Sequence, residues 1–201
     1  MIRLILIASL LFNLNLCKKK VQEDSSSSHS NFAIPPNIDV HFGDSTSTIS
    51  ITIKDGISIK HEETTLVGVM LNDKTEYRDK TGNLIFEVDY DVDGDLFLKD
   101  EKGNLVWKVR QKPGEYKVSK NEDGSDAFEI KRQSDTNIKI LKKDSELSNV
   151  VLQDKKIYIE NSDQKSFIAT DTLILAYGFL FLPDLSPIHK LIFIAEGIHI
   201  Q

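Results

Sequence analysis

Cysteine is nearly absent from this 201-residue chain: Cys17 stands alone. No disulfide within the chain can staple the fold. No apolar run reaches the roughly 20 residues that a helix needs to cross about 30 Å of hydrocarbon. Positive charge is not in surplus either. Lys and Arg number 25 against 31 Asp and Glu, for a net charge of −6. An acidic chain of mixed charge argues against nucleic acid as a partner, and against binding anionic lipid by charge alone. The five histidines, at 29, 41, 61, 189 and 199, show no paired metal spacing. His61-Glu62-Glu63-Thr64-Thr65 lacks the second histidine of a zinc-protease helix. There is no phosphate loop, nucleophile elbow or catalytic-cysteine pattern. No enzyme is expected from these residues, no catalytic residue can be named, and no cofactor is implied.

What is present begins with a leader. Arg3 is followed by the mostly apolar run Leu4–Leu16, then Cys17 and Lys18-Lys19-Lys20. A positive start, a short apolar stretch and a processing site in that order form a secretory signal. Leu14-Asn15-Leu16-Cys17 resembles the lipobox of bacterial lipoproteins, with Leu16 where most boxes carry a small residue. The resemblance implies removal of residues 1–16, a diacylglycerol on the sulfur of Cys17 and a further acyl chain, such as palmitate, on its amine. Two or more chains anchor stably where one holds only marginally. Residues 17–33, with Ser25-Ser26-Ser27-Ser28 at their centre, offer few apolar side chains and read as a flexible tether. Pro35-Pro36 stiffens the entry to a single domain, 34–201.

That domain carries a repeat. Asp79-Lys80-Thr81-Gly82-Asn83-Leu84-Ile85-Phe86-Glu87-Val88 recurs 21 residues later as Asp100-Glu101-Lys102-Gly103-Asn104-Leu105-Val106-Trp107-Lys108-Val109. Asn121, Gly124, Phe128 and Ile130 form a weaker third copy. Each copy is a glycine turn followed by a strand of period two. Return strands lie between, at 96–98 and 116–118. Upstream, Ile49, Ile51 and Ile53 alternate before Asp55-Gly56, a hairpin signal, and Ile57 and Ile59 resume. Downstream, 138–140, 150–152 and 157–159 are further strands. The pattern predicts a mainly β, antiparallel meander of about ten to twelve strands, closing into a barrel or pairing as a sandwich.

The tail differs. Residues 172–182 are apolar on every face, which predicts a helix buried in the core, capped by Asp171 and ended by Pro183. Phe179 and Leu180 should pack on the face carrying Phe86, Trp107 and Phe128. A second helical piece starts at Ser186-Pro187 and closes at Gly197. Asp171 and Glu196 read as caps or satisfied polar groups, and His189 as a polar contact at a helix start. The repeats at 79–88 and 100–109 with the apolar segment 172–182 resemble the tubby C-terminal, LURP-one-related and scramblase-like superfamily. That resemblance implies an antiparallel barrel closed by a hydrophobic C-terminal helix. The second helical piece departs from its single central helix. Phosphoinositide binding through basic patches does not carry over to so acidic a chain.

One constellation invites a metal. Asp89, Asp91, Asp93, Gly94, Asp95 and Asp100 match positions one, three, five, six, seven and twelve of a calcium-binding EF-hand loop. The flanks are strand-like, position twelve is Asp, and position nine is Phe97. A hairpin tip turning at Asp93-Gly94 accounts for the same residues. The chain therefore reads as a non-enzymatic lipoprotein of the cell envelope, its lipid anchor in the outer membrane in preference to the inner. Its β domain would bind a protein or lipid ligand or serve structurally. The alternative is a calcium-binding module or a hydrolase with a scattered site.

Overall fold

The computed structural model describes residues 37–52 and 56–199. The leader, Cys17, the tether, Pro35-Pro36 and Asp55 lie outside the described residues. The chain runs β1 (Asn37–Phe42), β2 (Ser45–Thr52), β3 (Gly56–His61), β4 (Thr64–Met70) and β5 (Lys74–Arg78). It continues through β6 (Leu84–Tyr90), β7 (Leu96–Asp100), β8 (Leu105–Lys112), β9 (Glu115–Ser119) and β10 (Phe128–Ser134). The last strands are β11 (Asn137–Lys142), β12 (Ser145–Gln153), β13 (Lys156–Ile159) and β14 (Ser166–Ala169). A short 3₁₀ segment, Leu175–Phe181, and helix α1, Pro187–His199, complete the described chain.

Each strand pairs antiparallel with the next, and β14 returns to β1 to close the barrel. Closure removes the free edges that an open meander would expose. Among the described residues the count is 14 strands, more than ten to twelve. The additional strands have physical reasons to escape notice. In β4, Gly68 faces inward while Val67 and Val69 face out, so alternation is lost. In β5 the inward residues are Thr75 and Tyr77, and β14 has only four residues.

The repeat is a real structural unit. Asp79 Oδ1 accepts the N–H groups of Thr81 and Asn83, and Asp100 Oδ1 those of Lys102 and Asn104, at 2.8–2.9 Å. Gly82 and Gly103 take φ of 89° and 81°, where a side chain would be strained. Each turn is followed by the same register shift: Arg78 pairs with Leu84 after Tyr77 pairs with Phe86, and Lys99 pairs with Leu105 after Leu98 pairs with Trp107. Ile85 and Val106 are the extra residues, so these bulges bend both hairpins alike.

Inward positions fill one core: Val40, Ile49, Ile59, Leu66, Val88, Leu98, Val109, Ile130, Ile140 and Val150 are all fully buried. The tail lies at the centre of that core. Leu175–Leu182 and Leu191–Ala195 are buried almost without exception, as a segment apolar on all faces requires. Its form departs from expectation, because 175–181 is 3₁₀ and the α-helix is 187–199. Gly178 presses on the wall, where an added Cβ would sit 2.5 Å from Ile130 Cγ2. The slimmer 3₁₀ form suits that gap. Asp171 is exposed and takes the Thr172 hydroxyl, and the 3₁₀ segment starts at Ile174 without a side-chain cap. Ser186 does cap α1, its Oγ accepting the His189 N–H at 3.4 Å. Gly197 lies inside α1, not at its end. An added Cβ there would meet Ala176 Cβ at 2.6 Å, so it lets helix and 3₁₀ segment touch. Phe179 stacks between Tyr116 and Phe193 at 5.2 and 5.1 Å. Phe179, Leu180, Trp107 and Phe128 belong to one buried cluster, and the half-buried Phe86 packs against it beside His189; Trp107 and Phe128 also lie under Lys120 and Lys142.

The strand directions define two rims. The described chain enters at Asn37, on the rim that also carries the loops 71–73, 91–95, 113–114, 135–136 and 154–155 and the end of α1 at His199. The far rim carries the turns 79–83 and 101–104, the loop 120–127 and the link 182–186.

Candidate functional site

A cleft of about 400 Å³ opens at the entry rim, lined by Met70, Leu71, Asn72, Thr75, Tyr90 and His199. The β4–β5 loop supplies one wall and the last turn of α1 another. Behind Tyr90 and Thr75 stands Glu196, fully buried inside the barrel. Tyr77 donates its hydroxyl to Glu196 Oε1 at 2.5 Å. Tyr90 donates to Oε2, and the Tyr90 and Thr75 hydroxyls share a hydrogen bond of 2.8 Å. A buried carboxyl is tolerated only when it is bonded in this way.

Burial pushes the Glu196 carboxyl above the usual carboxylate range, against the opposing hydrogen bonds of Tyr77, Tyr90 and Thr75. Burial first, and then the neighbouring Glu196, hold the Tyr77 and Tyr90 phenols above their ordinary value. Chemically the group ties α1 to β5 and β6. The carboxyl has no surface open to solvent. The cleft offers hydroxyl, amide and imidazole groups beside two apolar side chains, a combination suited to binding.

A smaller pocket of about 150 Å³ lies at the far rim between Trp107, Phe128, Lys120, Asn121, Ser125, Asp126, Lys142 and Asp184. Lys120 stands 5.0 Å from the centre of the Trp107 ring, and Lys142 stands 4.3 Å from that of Phe128. Lys142 also pairs with Asp126 at 3.2 Å and Asp184 at 3.8 Å. Its charges are already matched.

The five aspartates of the calcium-like spacing are not gathered around one point. Asp89 is ion-paired to Lys99 on the neighbouring strand. Asp91 Oδ1 accepts the N–H groups of Asp93 and Asp95, both at 2.9 Å. Gly94 takes φ of 81° between them, so this loop is built like the 79–83 and 100–104 turns. Asp95 is buried, 3.5 Å from both Lys108 Nζ and Arg110 Nε, and accepts the Gln111 N–H. Asp100 closes the β7–β8 turn on the other rim. Calcium ligands must converge at 2.3–2.6 Å, and among the described residues no three His, Cys, Asp or Glu side chains group to hold a metal.

The histidines also lie apart. His41 stacks on Phe167, His61 bonds Ser47 at 2.7 Å, His189 meets Phe86, and His199 lines the cleft. Burial lowers the pKa of His189. His29 and Cys17 lie outside the described residues. Tyr77 and Tyr90, the partners of Glu196, carry no sequence signal of their role: they are 119 and 106 residues away from it.

The outer wall separates this barrel from membrane-spanning ones. Lys74 pairs with Glu76 and Glu87; Lys117 and Lys131 pair with Glu129; Lys139 pairs with Glu146. A barrel in a bilayer turns an apolar band outward and polar groups inward. Here the arrangement is reversed. Among the described residues no helix is long and apolar enough to cross a membrane.

Fold and site together define a closed antiparallel β-barrel filled by its own C-terminal segment. No family model matches the chain, and no curated protein matches it. A solved structure of a protein from Arabidopsis thaliana is similar at 18% identity, covering 68% of this chain and 91% of that one, with a TM-score of 0.36.

Proposed function

We propose that the protein is a membrane-anchored envelope lipoprotein, held through acylated Cys17, whose plugged barrel is a non-enzymatic binding domain of tubby-like type. The observation that carries this reading is the filled interior. The 3₁₀ segment and α1 occupy the space that a transport barrel would leave for cargo. The buried acid of that interior, Glu196, is committed to two phenols. Recognition is thereby left to the rims and the charged outer wall. A barrel around a buried C-terminal helix is the arrangement that the resemblance of the repeats implies. The anchor rests on the lone cysteine that ends the apolar leader.

The test is to replace Cys17 with Ser and fractionate the cells. The native protein should sediment with membranes and the variant should leave them. A variant that stays in the membrane fraction with an unaltered amino terminus refutes the anchor. A pull-down with the anchored protein against envelope proteins and lipids then seeks its ligand.

A further inference from the structure

We infer that the entry-rim cleft is a site for an aliphatic ammonium group, held against the Tyr90 oxygen with the Glu196 carboxylate behind it; this deepens the binding-domain reading above. The hydrogen bonds set the sense of the cleft. A phenol has one proton to give and can accept twice. Tyr90 gives its proton to Glu196 Oε2, inside the barrel. The Thr75 hydroxyl, 2.8 Å from the Tyr90 oxygen, must then be the donor of that pair. Thr75 is wholly buried, so it supports the phenol instead of meeting a ligand. The hydroxyl protons of the group are all spent inward, and Tyr90 keeps an acceptor for the cleft it lines. Among the described residues, the side chains of Asn72 and His199 make no hydrogen bond. The amide carbonyl and an unprotonated imidazole nitrogen are further acceptors. Two backbone bonds hold the loop that carries Asn72: Leu71 N–H to the Lys74 carbonyl at 2.7 Å, and Tyr90 N–H to the Asp73 carbonyl at 3.0 Å.

Charge selects among the ligands that donate. Burial opposes ionisation of Glu196. A cation beyond Tyr90 offsets that opposition, because charges are weakly screened through a buried wall. Asp73, Asp91 and Asp93 are exposed on the two loops beside the cleft. Lys74, next to Thr75, is taken by Glu76 and Glu87 at 3.1 and 2.7 Å. An anion therefore finds no partner here, and a neutral hydroxyl gains nothing from the carboxylate. Met70 and Leu71 give the alkyl part of the ligand an apolar wall, and about 400 Å³ holds a short chain with room to spare.

The test titrates the full chain with pentylamine at about pH 8, where free imidazole is neutral. Pentanol and pentanoate serve as the neutral and anionic counterparts, and NMR shifts are the readout. Pentylamine should move the Asn72 and Tyr90 resonances saturably and bind roughly tenfold more tightly than pentanol, as a charge-assisted bond requires. Pentanoate should not bind. Acetyl-lysine amide carries the same ammonium on a protein side chain: tighter binding than pentylamine marks a partner's lysine as the source, and weaker binding a free amine. Glu196→Gln should weaken pentylamine roughly tenfold while pentanol changes little, a split that a purely structural role would not give. Asn72→Lys, on an exposed loop that does not bear on folding, should abolish amine binding and admit pentanoate. Pentanol bound as tightly as pentylamine, or pentylamine unaffected by Asn72→Lys and by a folded Glu196→Gln protein, overturns the ammonium reading and leaves the cleft a binding site. If no probe moves a cleft resonance, the site itself is overturned, and the envelope pull-down judges the binding-domain reading separately.

Discussion

Replacing Glu196 with Ala should destabilise the barrel, and a second substitution, Tyr77→Phe, should partly repair it. Glu196 accepts the Tyr77 hydroxyl at 2.5 Å, and Tyr77 is wholly buried. Without the carboxyl that phenol has no route to water, and an orphaned buried donor costs about 1–3 kcal/mol. Tyr90 borders the cleft and can turn to solvent, so its loss is smaller. The space vacated by the side chain adds about 1–2 kcal/mol. The single variant should therefore lose about 2–5 kcal/mol, a large part of a typical total of 5–15 kcal/mol. Tyr77→Phe alone should also destabilise, because it leaves Oε1 of a buried acid without its donor. Removing both partners, however, leaves neither orphaned. The double variant should regain about 1–2 kcal/mol over Glu196→Ala. Urea unfolding followed by the single, buried Trp107 measures all three. If the two losses simply add, the network is not what holds α1 to the wall.

Further outcomes follow from the same geometry. Because burial raises the folded pKa of Glu196 above its unfolded value, folding favours the protonated acid. Its stabilising contribution is full below about pH 4.3 and is lost as pH rises through the folded value; Glu196→Gln should flatten that decline in urea midpoints. The Asp79 and Asp100 carboxyls are held low, chiefly by the side chains of Thr81 and Asn104, so their contribution runs the other way and is lost as pH falls. Asp100→Asn should reduce the loss of stability in acid. Gly197→Val should cost about 1–3 kcal/mol or prevent folding, since even a Cβ would meet Ala176 at 2.6 Å; an unchanged melting temperature contradicts that packing. Calorimetric titration of calcium should show no micromolar site, and a site abolished by Asp91→Asn would reverse the reading of the 89–100 segment.

What the sequence disclosed was local chemistry. Asp79, Gly82, Asp100 and Gly103 lie within a few residues of the groups they bond, so their turns and the following strand faces are legible as a pattern. So is the Ser186-Pro187 start of α1. The apolar tail is legible as buried, because no face of it suits water. Its helix type is not: Gly178 and Gly197 are dictated by Ile130 and Ala176, contacts made across the fold. The strands β4 and β5 hide for the same reason, since a Cβ added at Gly68 would sit 2.9 Å from the Tyr77 ring. The cleft and the Tyr77–Glu196–Tyr90 group join residues more than a hundred positions apart, and no spacing rule reaches that far. The aspartates at 89–100 show how one spacing serves two readings. A spacing that suits a metal loop also suits a hairpin whose acids serve backbone N–H groups and lysines.

The central claim is that this filled barrel works at a membrane surface from a lipid on Cys17. Mass spectrometry of the amino-terminal peptide, taken from protein purified out of the membrane fraction, tests it most directly. The account predicts a chain beginning at Cys17, heavier than its residues by a diacylglycerol and a further acyl chain. A chain still beginning at Met1, or an unmodified Cys17 in the soluble fraction, would contradict it.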